Sequence, residues 1–216
     1  AGLTLNFRDV TERKALEEQL RKLAFHDPLT LLANRSLFWN RVEHALTLAQ
    51  RSQQQVAVMF LDLDNFKNVN DSLGHDAGDR LLQAAAQRLV KSTRPSDTVA
   101  RLGGDEFAIL LEGIRCDTDV ERIAVPITAA FNRPLLVDGR ETDATASIGA
   151  ACSQPGDDAE QLLRKADIAM YNAKAAGKAR CVLFQPHMQE QLHDRLRLEQ
   201  DIDLALARDE FFLEFQ

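Results

Sequence analysis

The run Val56-Ala57-Val58-Met59-Phe60-Leu61 constrains this chain's fold more than any other stretch. It is short, rich in strand-forming residues and apolar without alternation, so it reads as a strand buried on both faces. Such a strand needs a packed layer above and below it. Amphipathic helices are at hand on either side in the sequence. Residues 35–51 carry Leu37, Phe38, Val42, Ala45, Leu46 and Ala49 at helical spacing, and residues 76–91 carry Leu81, Leu82, Ala85, Leu89 and Val90. With 216 residues, 45% of them hydrophobic, there is enough material for one domain with flanking segments.

Two more strands are expected at 98–102 and 107–111, joined through Gly103-Gly104-Asp105-Glu106. Glycines supply the positive φ that a tight hairpin turn requires. A helix follows at about 117–131, with a kink expected at Pro126. A second hairpin is expected around Asp138-Gly139, with strands near 134–137 and 142–151. The helix at 160–176 stops at Gly177, and a short strand at 181–184 closes the domain. Strands alternating with helices, together with two hairpins, indicate an α/β or α+β sheet with helices packed on it.

The flanks differ in character. Residues 10–24 are charge-rich and helical in propensity, with Leu16, Leu20 and Leu23 at 4-then-3 spacing; a short coiled-coil seam and a solvated helix both fit. Residues 186–208 form another amphipathic helix, followed by Phe211-Phe212-Leu213-Glu214-Phe215, which reads as the first strand of a further, truncated domain. The absence of an initiator Met fits a piece of a longer protein.

A net charge of −7 and a pI near 5.3 argue against a chain that coats nucleic acid. Any phosphate must therefore be handled at a local site, by a metal or a few placed lysines. No apolar run approaches the roughly 20 residues of a membrane span, and no signal peptide is visible. Cys116, Cys152 and Cys181 are odd in number and lack CxxC spacing, which favours a reducing cytoplasm over a disulfide framework or zinc site.

Phe60-Leu61-Asp62-Leu63-Asp64 places two carboxylates where the buried strand emerges, on one face by the period of two. Ligands of α/β sheets gather at such strand ends. Asp105 and Glu106 sit at the glycine turn, where the backbone can approach a ligand closely. If that turn lies beside the strand end, Asp62 and Asp105 can share a hard cation. Magnesium takes few carboxylates and completes its shell with phosphate and water. Each acidic pair taken alone also fits an ordinary turn.

Arg101-Leu102-Gly103-Gly104-Asp105-Glu106-Phe107 resembles the signature of the GGDEF family of diguanylate cyclases. Asp27-Pro28-Leu29-Thr30 with Asn34-Arg35, the segment from Phe60 to Asp79, Ser147-Ile148-Gly149, and the segment from Ala166 to Lys178 resemble its other motifs in order. The resemblance implies a palm-like domain over 25–184 with a central, mixed, mainly antiparallel five-stranded sheet flanked by helices. It implies magnesium (or manganese) on Asp62, the Leu63 carbonyl and Asp105, with Asp105 and Glu106 catalytic, Glu106 at the metal or as the base. It implies guanine on Asn70 and Asp79, chemistry that carboxylate and amide groups suit, and triphosphate on Lys67, Lys174 and Lys178. Lys174 and Lys178, four apart, fit one side of a helix end. Asn70 and Asp71 also fit a helix cap, His75 a loop-orienting role, and Lys174 a solvated position.

The family reaction joins two GTP molecules into cyclic di-GMP, which requires two domains facing each other. Arg94-Pro95-Ser96-Asp97 resembles the family's RxxD site for inhibitory product; an exposed Arg–Asp pair in a turn is the other reading. Leu31 stands where the family motif has Gly, so a different local path is expected there. Residues 1–9 resemble the end of a PAS sensor, 10–24 a linker, and 185–216 a linker helix leading into an EAL phosphodiesterase domain. Three functions fit: a working cyclase, a GTP-binding module regulating an adjacent phosphodiesterase, and a cyclic di-GMP receptor.

Overall fold

β1 (Gln55–Leu63) contains the apolar run and is the central strand of a sheet ordered β2-β3-β1-β6-β7 in this computed structural model. The structure describes residues 24–52, 54–115, 117–137 and 140–208. The sensor-like start, the leucine seam at 16–23, the Asp138-Gly139 turn and the 211–215 strand lie outside the described residues.

The remaining strands are β2 (Thr98–Gly103), β3 (Glu106–Ile114), β6 (Ala146–Cys152) and β7 (Cys181–Leu183), with β4 (Leu135–Val137) and β5 (Arg140–Thr142) forming a separate hairpin. β1 pairs antiparallel with β3 and β6, and β2 with β3; β6 and β7 are parallel. The sheet is thus the mixed, mainly antiparallel one expected.

Side-chain alternation along β1 divides the core in two. Ala57, Met59, Leu61 and Leu63 face α3 (His75–Ser92) and α4 (Asp117–Phe131), meeting Leu81, Leu82, Ile127 and Phe131. Val56 and Val58 face α1 (Arg35–Ser52) and α5 (Ala159–Ala175), meeting Phe38, Val42, Leu162 and Ala166. Full burial of each large apolar side chain contributes about 1.5–3 kcal/mol, which holds the three layers together.

α5 begins at a capping box in which Gln161 N donates to Asp158 and Asp158 N to the Gln161 side chain. It lies so close to β6 that a Cβ at Gly149 would strike the Met170 amide and the Ala166 carbonyl. A further helix, α6 (Pro186–Ala207), extends from the domain, with Arg195 stacked 5.4 Å from the Tyr171 ring centre.

Two expectations need correction. The strand at 142–151 is two strands, because Thr145 turns inward to Asp64, accepting from its amide at 2.9 Å and donating to its carboxylate at 2.7 Å. Residues 66–73 form a helix of their own, α2 (Phe66–Leu73), so Asn70 and Asp71 are helical; the cap of α3 is Gly74. α4 runs through Pro126 without interruption of its secondary structure, and the proline leaves the Arg122 carbonyl without its usual helical donor, the cause from which a kink was expected.

Candidate active site

Gly103 and Gly104 hold φ of 145° and 50°, the left-handed values that let β2 reverse into β3 within the turn. The β1–β3 register sets Asp62 opposite Glu106, and Leu63 N donates to the Asp105 carbonyl at 3.3 Å. The acidic turn therefore abuts the end of β1. Behind it Arg101, 12% exposed, donates to the Gly104 carbonyl from Nε at 3.0 Å and Nη2 at 2.7 Å. Its Nη1 contacts both oxygens of Asp27 at 3.1 Å. Asp27 also accepts from the Thr30 amide and hydroxyl, at 2.8 and 2.6 Å. This latch between the first loop and the glycine turn escaped the sequence reading: its two residues are 74 apart, and no local spacing announces it.

Asp62 points to α5, where Lys174 Nζ lies 2.7 Å from its Oδ2. Burial pushes the Asp62 carboxyl above its ordinary value, against the pull of Lys174, while Asp105 and Asp64 add repulsion. Burial likewise raises Glu106; Arg35, 3.7 Å away, opposes the rise, and Asp62, Asp167 and Asp105 reinforce it. A site whose carboxylates are too crowded for their charge suits a hard dication, and the donors are all hard oxygens. Among the described residues no three His, Cys, Asp or Glu side chains stand ready-made around one point, so backbone, water or phosphate oxygens would complete the shell.

Asp64 lies on the same side of β1, since Ser147, the residue paired with Asp62, donates to it, but its oxygens are already engaged. Ser147, Thr145 and the Ala179 amide all donate to it, and it is buried. Asn70 is turned against α3: its Oδ1 is buried with no partner, and a Cβ at Gly78 would collide with it. An orphaned buried acceptor calls for a donor. Asp79, one residue beyond Gly78, is exposed, as are Lys67 in the first turn of α2 and His75 at the start of α3. Lys174 is on α5, but Lys178 lies past the helix end at φ 62°, its Nζ 2.9 Å from Asn65 Oδ1. Their four-residue spacing does not place them on one helical face, because Gly177 at φ 108° ends the helix first.

Arg94 and Asp97 form a turn rather than an ion pair. Asp97 Oδ2 accepts from the Arg94 amide at 2.9 Å, and the Arg94 side chain lines a recess with Arg115, Asp119 and Arg122. Leu31 keeps a left-handed φ of 61° and is 77% exposed, so the loop follows the path a glycine would take, with strain in place of rerouting. No helix among the described residues is long and apolar enough to cross a membrane.

A helix-flanked α+β sheet whose acidic groups gather at the end of its central strand is an architecture of phosphate-handling enzymes. The family model for the diguanylate cyclase GGDEF domain matches residues 24–180, and the chain belongs to that family. The chain is 40% identical over 200 residues to the bifunctional diguanylate cyclase/cyclic di-GMP phosphodiesterase MucR of Pseudomonas aeruginosa, covering 92% of this chain and 29% of MucR. The solved GGDEF domain of TpbB (YfiN) from the same organism superposes with a TM-score of 0.75 at 41% identity, covering 78% of this chain and 99% of that one. The coiled coil and GGDEF domain of Caulobacter crescentus DgcB, solved with c-di-GMP, gives 0.70 at 30% identity, covering 81% and 93%.

Proposed function

We propose that residues 25–184 condense two GTP molecules into cyclic di-GMP and two pyrophosphates, using magnesium, or manganese in its place, and acting as a pair of domains. The observation that carries this reading is the seating of Asp105 and Glu106 against Asp62, with Lys174 on the facing helix. The 3′-oxygen of one GTP bonds to the α-phosphorus of the other, the bond to pyrophosphate breaks, and the hydroxyl proton leaves to a base. Repetition in the other direction closes the ring. Asp62, Asp105 and the Leu63 carbonyl would hold the metal, which offsets charge on the phosphates.

The chain's own groups do the rest. Asn70 and Asp79 receive the guanine edge, and Gly78 keeps the space that Asn70 occupies. Lys67, Lys174 and Lys178 receive the triphosphate; Lys174 would exchange its carboxylate partner for phosphate as the metal arrives. Glu106, raised by burial and by its acidic neighbours, is suited to take the hydroxyl proton. Arg94, with Arg115 and Arg122 across its recess, fits product binding that slows the enzyme. The bifunctional name of MucR, of which the chain spans 29%, supports a parent with a phosphodiesterase part after residue 185; the PAS-like sequence of residues 1–9 supports a sensor before the linker at 10–24, and the cysteine usage supports the cytoplasm.

Incubation with GTP and magnesium, followed by assay of pyrophosphate and cyclic dinucleotide, tests the proposal. Asp105→Ala should abolish turnover while leaving the fold intact. Binding of GTP without product at high protein concentration would instead make this a regulatory module.

A further inference from the structure

Asp64 is 7% exposed, and neither the metal nor the nucleotide assignments use it. Its Oδ1 accepts from Ser147 Oγ at 2.7 Å; its Oδ2 accepts from Thr145 Oγ1 at 2.7 Å and from the Ala179 amide at 3.1 Å. Two of these donors belong to β6 and the residue before it. The third belongs to the loop between α5 and β7, which carries Lys178. In that loop Lys178 and Ala179 are consecutive non-glycine residues in the left-handed region, at φ 62° and 51°. Such a pair persists only where its surroundings over-determine it. Lys178 N is held by the Ala173 carbonyl at 3.0 Å and its own carbonyl by Arg180 Nε at 3.1 Å, while Asp64 holds the next amide from the strand side.

We propose that Asp64 is a positioning residue for the nucleotide's phosphates: its carboxylate fixes the Ala179 amide, and so the left-handed turn that delivers Lys178 Nζ to Asn65 at the start of α2. The inference rests on the reading of Lys178 as a phosphate ligand. What the turn requires of residue 64 is an acceptor oxygen; a negative charge so near the phosphates is no help to binding. The second acid of the Asp62-Leu63-Asp64 stretch thus serves geometry while the first serves charge.

The test measures binding of an α,β-methylene GTP analogue and of guanosine, which has no phosphates, by calorimetry with magnesium present. Lys178→Ala should weaken the analogue about tenfold, the loss of one charge-assisted contact, and leave guanosine unchanged. Asp64→Ala should do the same, Asp64→Asn should restore binding to within about twofold because it keeps an acceptor for the amide, and Asp64→Ala combined with Lys178→Ala should be no weaker than either alone. If Asp64→Ala does not fold, Asp64→Ser, which leaves a hydroxyl and room for water, takes its place. Equal weakening of guanosine and analogue by the residue 64 variant, or multiplied losses in the double variant, overturns the inference and leaves the lysine reading intact. An unchanged Lys178→Ala protein sinks the lysine reading and the inference with it.

Discussion

Asp27 and Leu31 lie in the same loop and act on its stability in opposite directions. Burial alone would raise the Asp27 carboxyl, but the Thr30 hydroxyl and amide and the Arg101 guanidinium outweigh it and hold the group below its ordinary value of 3.8. A depressed carboxylate stabilises the fold above the unfolded pKa, about 3.9 for Asp, and that contribution disappears as pH falls through the lower folded value. The difference in melting temperature between the native protein and Asp27→Asn should therefore be largest above about pH 5 and shrink toward pH 3. A difference independent of pH would mean that the carboxylate charge is not what matters. Leu31, in contrast, is in the left-handed region with its side chain in water, so its backbone bonds to Asp27 and His26 hold the turn while the side chain contributes only strain. Leu31→Gly should stabilise by about 0.5–1 kcal/mol, the left-handed cost less the freedom glycine adds to the unfolded chain. Thermal melting would show this as a rise of about 1–4 °C, and a fall would show that the leucine side chain makes compensating contacts.

Between elements, Arg88 of α3 is the tie whose loss should be felt most. Its Nη1 donates to the Ala130 carbonyl at 2.8 Å and also to the Arg133 carbonyl, and its Nη2 donates to the Pro134 carbonyl at 2.6 Å, closing the C-terminal end of α4. Carbonyls at a helix end need such donors. Arg88→Met should cost about 2 kcal/mol in urea unfolding, and Arg88→Lys should recover little of it, because one ammonium cannot reproduce the fork. Full recovery by lysine would reduce the contact to simple charge. No sequence pattern marked this tie, whereas the elements it joins were plain. β1 was legible because an unbroken apolar run fits only a strand covered on both faces, and the β2–β3 turn because paired glycines permit the φ it needs. α2 was not, since Phe66, Val69 and Leu73 fall at helical spacing but eight residues are too few for that stripe to stand out. The break in the 142–151 strand depends on Asp64, far away in sequence, drawing Thr145 inward. In the site, motif order singled out Asp62, Asp105, Asn70 and Lys174, but not the donors that occupy Asp64 or the place of Lys178. Those follow from tertiary bonds and from Gly177, which ends α5 before the spacing can act.

For the whole molecule, the proposed reaction imposes a condition that the folded domain cannot meet alone. On the proposed reading its acidic turn, its lysines and the Asn70 recess amount to one nucleotide site, so a ring made of two nucleotides needs a second copy facing the first. The described domain already closes its own sheet faces with α1 and α5 on one side and α3 and α4 on the other. Pairing must then come from the open end of the sheet, where Asp62 and Asp105 lie, and from the segments that leave the domain. Two copies held only by weak contacts form an encounter that depends on concentration, and linking them raises the local concentration to the millimolar range. Specific activity should accordingly fall as the protein is diluted through the range in which sedimentation shows dissociation. It should be restored at the same dilution by a parallel leucine zipper fused ahead of residue 24. Mixing excess Asp105→Ala protein with the native chain should lower activity per native chain, since mixed pairs hold one deficient site. Constant specific activity in demonstrably monomeric protein would show that one domain completes the ring unaided, and the paired arrangement would have to be abandoned.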